Sequence, residues 1–432
     1  MARARGANAT LALATEGLYG TPPGSGFRRT PFVSANLGEE QPLLASNLLG
    51  RGRGPQKPGQ DSVDNVGDVV VPMCARNFGF WLKLLLGAPT TATGLAASGS
   101  ILFNAQPANN ATLSLAGTDF TFTSGATTAS QIKIGATLSE TVANAVRALN
   151  ASTVPAVAAA RFMANDRGNG ILIEHETLGI AGNSYALAAS STPASGATVS
   201  GATLSGGAAS GGYRHTFETG AAILPSASAE VGFPEVPFFG MNWGVKVNTL
   251  GIQMQRGGQL DVTLNLMAQG ETTGPTSEAG TVADELPVDR FSQFSGSVRR
   301  DGVPVADLVS GQLNMSNGLD PVPAIRTDGR IGGVDEGNLT VTGQIGVRFS
   351  GPELQVQAEN GEACELEYQW TLPNSPWSLR VIVHEVYLPK AKRPITGPGG
   401  VQADYAWQAA DPVGGRAATF ILTNDVPGAT YA

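Results

Sequence analysis

From Tyr213 onward, apolar and polar residues alternate one for one through segment after segment, a period that antiparallel sheet satisfies and helix does not. Leu260, Val262, Leu264 and Leu266 alternate with Asp261, Thr263 and Asn265. Leu339, Val341, Ile345, Val347 and Phe349 alternate with Thr340, Thr342, Gln344 and Arg348, and Cys364, Leu366, Tyr368 and Trp370 with Glu365, Glu367 and Gln369. Successive strand side chains point to opposite faces, so each segment turns one face to a core and the other to something polar. Trp377–Leu388 reads as a more apolar strand and Arg416–Asn424 as the last one, with turns at Gly397–Gly400 and Asp411–Gly415. Strands this numerous, parted by glycine-rich turns, predict a sandwich or barrel. The composition agrees. There are 56 glycines in 432 residues, and only 14% of residues are charged, against about 25% in ordinary domains. A hydrophobic share of 42% argues against disorder. So little charge also suggests that other copies of the chain cover much of the surface.

Residues Ile101 to Gly212 interrupt this pattern with a logic of their own. Ala111–Ala116 and Phe120–Thr123 read as short strands around a turn at Gly117. Thr137-Leu-Ser-Glu140 has the spacing of a capping box, and from it a helix runs to about Leu149 with Leu138, Val142, Ala145, Val146 and Leu149 on one stripe. Strands are predicted again at Ala156–Met163, Gly170–Glu174 and Tyr185–Ala189, and Thr192–Gly212 reads as a small-residue exit linker. The expected division is 1–100 with 213–432 as one β domain, and 101–212 as an inserted α+β domain.

The first hundred residues open on a strand-like stretch, then a Gly/Pro-rich passage, Tyr19–Gly26. Leu48–Gly67 has little periodicity, many turn formers and the cations Arg51, Arg53 and Lys57, and is expected to be a long exposed loop that contacts another subunit. Asp68–Met73 reads as a short strand. Ala75–Leu86 reads as a helix with Phe78, Trp81, Leu82 and Leu85 on one face, stopped by Gly87 and Pro89. Its apolar run is too short for a membrane span and Lys83 interrupts it. No secretory signal is expected, because the apolar run at Leu11–Ala14 is short and meets Glu16. Cys74 and Cys364 are expected to be buried reduced thiols, and the chain to be soluble when made.

Charge is unevenly spread. Met1–Ser100 carries nine Lys and Arg against six Asp and Glu, whereas Tyr213–Ala432 carries fourteen against twenty-four, in a chain of net charge −8. Either these are solvated charges, or a basic surface meets an acidic one on a neighbouring copy. An acidic chain is not expected to grip nucleic acid, which needs Lys and Arg to neutralise phosphate.

A reaction centre is harder to find. The three histidines are His175, His215 and His384. His175 and His384 adjoin glutamates, but neighbours on a strand face opposite ways and cannot share a metal. HExxH, CxxC, GxSxG and phosphate-loop spacings are absent. Arg51-Gly-Arg-Gly54 resembles an arginine-glycine element, but a turn in the loop is the favoured reading. Carboxylates cluster at Glu278, Asp284, Glu285 and Asp289 and at Asp335 and Glu336 without the spacing of a calcium loop. Solvated loops are favoured there. Another role for acidic residues is the negative lining of a channel: Glu365 and Glu367 share one strand face and suit it, and Asp261 is a third candidate. No catalytic residue, cofactor or metal is expected.

The order of several pieces resembles tail tube proteins of long-tailed bacteriophages, in the branch with an inserted domain. They are Glu16–Thr21 (EGLYGT), Leu49–Gly54 (LGRGRG), the strand and helix over Val69–Gly87, then Thr118–Phe122, Ile134–Thr141, Ala148–Asn150 and Leu178–Asn183 in the insertion, and the ending at Thr423-Asn424. The resemblance implies a mainly β fold, a β-sandwich or half-barrel with a flanking helix, plus the small inserted α+β domain on the outer wall. It implies copies assembled in hexameric rings that stack head to tail, with DNA passing through the lumen without specific binding. It also implies partners such as the tape measure and tail terminator proteins, synthesis in the host bacterial cytoplasm, a place in the virion tail and no enzymatic role. A mildly acidic lumen would repel phosphate rather than slow it. Two other readings are another tail or baseplate component whose insertion binds host glycan, and a β-rich hydrolase, which would need a pocket with essential carboxylates.

Overall fold

Alternation becomes strand close to where it is read. Asp261–Met267, Thr340–Arg348, Cys364–Thr371, Ser378–Tyr387 and Ala418–Asn424 are all strands, and all pair antiparallel. The structure is a computed structural model and describes residues 3–395, 397–412 and 415–432. Residues 413 and 414 of the turn expected at Asp411–Gly415 lie outside the described residues, as do Met1 and Ala2.

The molecule is mainly β and forms a sandwich. One sheet runs in the order Asp64–Pro72, Asp261–Met267, Phe238–Met254, Leu308–Ser316, Thr340–Arg348, Gln402–Ala409. The other runs Thr90–Phe103, Ala208–Glu218, Ala418–Asn424, Ser378–Tyr387, Cys364–Thr371, Gly296–Arg300. They meet at one corner, where Val386 and Tyr387 pair with Ala409 and Gln408. A single apolar cluster fills the space between, with Val69, Val262, Leu264, Leu313, Ile345, Leu366, Tyr368, Trp370, Val381 and Phe420 buried in it. The helix Phe78–Leu86 completes that core with Phe78, Trp81, Leu82 and Leu85. Side chains of this size contribute about 1.5–3 kcal/mol each when fully buried.

The 17-residue strand Phe238–Met254 belongs to two sheets. Its second half lies in the sandwich. Its first half pairs with Ala227–Phe233 and Gly270–Gly274, and Thr10–Thr15 and Arg28–Arg29 extend that smaller sheet. The bend between the halves falls near Gly244, at φ +66°, a left-handed conformation that glycine adopts without steric cost.

The insertion has its own apolar cluster, with Ile101, Phe103, Leu113, Phe122, Val142, Val146, Leu149, Phe162 and Ile173 buried. The 14-residue strand Thr90–Phe103 carries the chain into it. Residues up to Leu95 pair with the Ala208–Glu218 strand of the body, and residues from Ala96 pair with Gly170–Leu178 and Ala197–Val199 of the insertion. The helix is Leu138–Asn150, and the Thr137 hydroxyl accepts from the Glu140 amide at 3.1 Å. The reciprocal bond goes one residue further back than a capping box requires, from the Ala136 amide to the Glu140 carboxylate at 2.7 Å.

Three expectations need correction, and one element goes unforeseen. The expected linker Thr192–Gly212 is largely structured, as strands Ala197–Val199 and the start of Ala208–Glu218, because its small residues let backbone lie close against the Thr90–Phe103 strand. Ala156–Met163 is not one strand: Pro155–Ala158 forms a helical turn, with Pro155 at its first position, and the strand is Ala160–Ala164. The loop after Leu48 ends earlier than Gly67, since Asp64–Pro72 is already strand, with Asn65, Gly67, Val69 and Val71 buried. The helix Glu353–Asn360 carries no apolar stripe and is missed by pattern reading.

Candidate functional site

Two hairpins lie beside each other, bonded near the base of the first. The first is the arm anticipated at Leu48–Gly67. Leu43–Leu44 pairs with Gly59–Gln60, and the residues between are irregular and almost all exposed. Gly50 and Gly52, at φ +77° and +79°, turn the backbone on either side of Arg51. Arg51, Arg53 and Lys57 all lie exposed on this arm. So do four leucines, of which Leu49 is 94% exposed and Leu43 67%. Apolar side chains held this far into water cost free energy unless another surface covers them.

The second hairpin pairs Asp320–Val322 with Gly333–Asp335 and carries the fully exposed Ile325 at its tip. It braces the base of the first. The Val63 amide donates to the Gly329 carbonyl at 2.9 Å. Arg330 forms a two-pronged pair with Glu39 at 2.5 and 3.0 Å, and its guanidinium stacks 5.4 Å from the Trp243 ring centroid. Glu39 and Glu271 each accept from the other's amide, at 2.6 and 3.0 Å. These bonds fix the root of the arm while its outer part stays unpaired.

The three expected lumen carboxylates fall in two places. Asp261 begins an interior strand of the first sheet and pairs with Arg290 at 2.6 Å, half-buried. Glu365 and Glu367 do share one strand face, as the sequence implies. That face looks at the insertion, and Glu367 has no exposed side chain at all. Glu367 is thus enclosed among arginines of its own chain, while the Glu365 side chain stays partly exposed.

What they form is a seam. Across the insertion's strand pair, Arg161 stands opposite Glu174. Arg161 reaches down to Glu365 and Glu367, both at 2.5 Å. Glu174 accepts from two arginines of the body, Arg380 at 2.6 Å and Arg214. Arg299 and Arg380 close on Glu367 at 3.5 and 3.8 Å. Each buried charge therefore meets opposite charge from the other unit, the condition under which ion pairs survive desolvation. Burial pushes the Glu174 carboxyl up, but Arg380 and Arg214 outweigh it and hold the group below its ordinary value. At Glu365 burial is likewise outweighed by His384 and Arg161. The alternation in 364–370 showed which face was polar, but only the tertiary fold reveals that Arg161 of the insertion stands against it.

The histidines have ordinary partners. His215 is buried between Thr91, at 2.9 Å, and Asn424, at 3.0 Å. His384 bonds Thr419 at 2.8 Å, and His175 bonds the Thr177 backbone. Both cysteines are buried and unpaired. Among the described residues no group of three or more His, Cys, Asp or Glu is placed to hold a metal, and no helix is long and apolar enough to cross a membrane.

A β-sandwich whose most conspicuous surface features are apolar arms has the build of a structural subunit, and comparison with known proteins places it among the structural proteins of phage tails. The family model described as phage tail tube protein matches residues 6–409, and the chain belongs to that family. No curated protein matches it.

Proposed function

We propose that copies of this chain close into rings, that the rings stack into the tube of the tail, and that DNA passes through the tube from capsid to host. The observation that carries this reading, beside family membership, is the arm: a braced hairpin that holds Leu43, Leu48 and Leu49 out in water together with Arg51, Arg53 and Lys57. A neighbouring copy would cover the leucines and set acidic groups against the cations. Tyr213–Ala432, with its excess of carboxylates, supplies such groups. Ring closure also lets edge strands pair between copies, which removes open sheet edges. We take the ring to be a hexamer and the tube to end against tape measure and terminator proteins. In this reading the insertion, near 101–212, decorates the outer wall, and Asp261 remains a candidate for a lumen-facing carboxylate. Assembly takes place in the host cytoplasm.

Electron microscopy of the purified full chain tests the proposal. Rings or tubes are expected. A protein that stays monomeric at every concentration and ionic strength, with neither form on the grids, would overturn it.

A further inference from the structure

The seam has an open side. Between the insertion helix Leu138–Asn150 and the body segments near Arg300–Ala306 and Val347–Leu354 lies a cleft of about 570 Å³. That is within the usual range for small-molecule sites, roughly 300–1,000 Å³. Its walls are apolar at Val303, Val347 and Tyr405, and cationic at Arg147, Arg300 and Arg348.

These three arginines differ from their neighbours. Arg161, Arg214 and Arg380 each meet a carboxylate across the seam, and Arg299 meets Glu367 within the body. Among the described residues, Arg147, Arg300 and Arg348 meet none. Arg300 donates to the Gln357 side chain at 2.9 Å and Arg348 to the Gly400 carbonyl at 2.8 Å, neutral acceptors that leave most of each guanidinium's donors free. The Arg147 guanidinium makes no hydrogen bond with any described residue. Its protonated form is disfavoured first by burial and then by the like charge of Arg300. Of the two glutamates at the rim, Glu140 is engaged by the Ala136 amide and Glu353 is exposed to water.

We propose that this cleft is a binding site for a phosphate monoester carried on a compact apolar or sugar body. Three guanidinium groups offer more donors than the two oxygens of a carboxylate can accept, whereas a phosphoryl group presents three oxygens and up to two negative charges. The apolar walls suit the body of the ester. The inference stands apart from tube formation, since none of these residues lies on the arm.

Calorimetric titration of the full chain with phenyl phosphate, inorganic phosphate, diethyl phosphate and phenol tests it. Saturable binding of phenyl phosphate is expected, weaker binding of inorganic phosphate, and none of phenol. R147Q/R300Q should weaken phenyl phosphate by about a hundredfold, about tenfold for each of the two charge-assisted bonds lost. R348Q, at an exposed position, should weaken it several-fold. Absence of saturable binding to the wild type, or unchanged affinity in both variants, would overturn the proposal. Equal binding of diethyl phosphate would overturn the choice of a monoester over the diester of a polymer.

Discussion

Glu367 shows how much one side chain can decide. Its carboxylate is enclosed and shared among Arg161, Arg299 and Arg380. E367Q keeps the shape and removes the charge, leaving three guanidinium groups around a neutral amide. Breaking a buried network from one side costs roughly 3–5 kcal/mol, and denaturant unfolding should show a loss of that size. A loss below about 1 kcal/mol, typical of exposed pairs, would mean that water already screens the seam. Protons should act at the same scale and in two stages. His215 is held below its ordinary value of 6.5, first by burial. Its neutral form contributes stability that is whole above 6.5 and is lost as the pH falls below it. Glu174, held below its ordinary 4.5, contributes stability that is whole above 4.5 and is lost as the pH falls through its folded value. Thermal unfolding of the unassembled chain should therefore be flat from pH 8 to 6.5, weaken gently below that, and weaken again below 4.5. H215Q should abolish the first stage alone. A wild-type profile with no change until 4.5 would remove His215 from the account.

Elements differ in how far local sequence determines them. The insertion helix was legible because Thr137 caps it and its apolar residues recur at helical spacing, both local properties. T137A should cost about 1 kcal/mol, and hydrogen exchange should place the loss in the first helical turn. Uniform loss across the chain would argue against a local cap. The helix Glu353–Asn360 was not legible, since its buried positions are Gln355 and Gln357 and it answers to tertiary contacts, including the Arg300 bond to Gln357. Thr192–Gly212 misled for a related reason. Glycine, alanine and serine carry no pattern, so only the partner strand shows that they pair. Likewise the 364–370 alternation marked a polar face but not what lies opposite. The arm was visible as a break in periodicity, and its exposure agrees with that reading. Charge reversal in R51E/R53E/K57E should leave the melting temperature within a degree or two and reduce tube yield several-fold by sedimentation. Normal yield would exclude these cations from the interface.

At the scale of the whole molecule, the question is whether the insertion is cargo or part of the frame. It has its own core, yet it is neither loosely tethered nor cleanly bounded at residue 101. The Thr90–Phe103 strand crosses the boundary near Leu95, where Ala208 of the returning strand stands opposite. Two antiparallel neighbours at that point can be joined by a tight turn. Replacing Ala96–Gly207 with Asn-Gly should therefore preserve the body's Thr90–Leu95 pairing, whereas a cut at 101 and 212 would strand half of one strand without a partner. The shortened chain should fold, because the sandwich cluster draws on no residue of the insertion. It should also be less stable than the body within the full chain. Arg380 and Arg214 lose Glu174, and Glu365 and Glu367 lose Arg161. Neutralising Arg214 in the shortened chain, as R214Q, should recover part of the loss, since Glu174 is the one carboxylate that meets Arg214 among the described residues. In the full chain the same substitution should be destabilising. That reversal of sign, read by denaturant unfolding, separates an insertion coupled through charge from one that merely sits on the wall. If R214Q destabilised both chains equally, the seam charges would be no link between the two units, and the apolar contacts near Val303 would have to carry it.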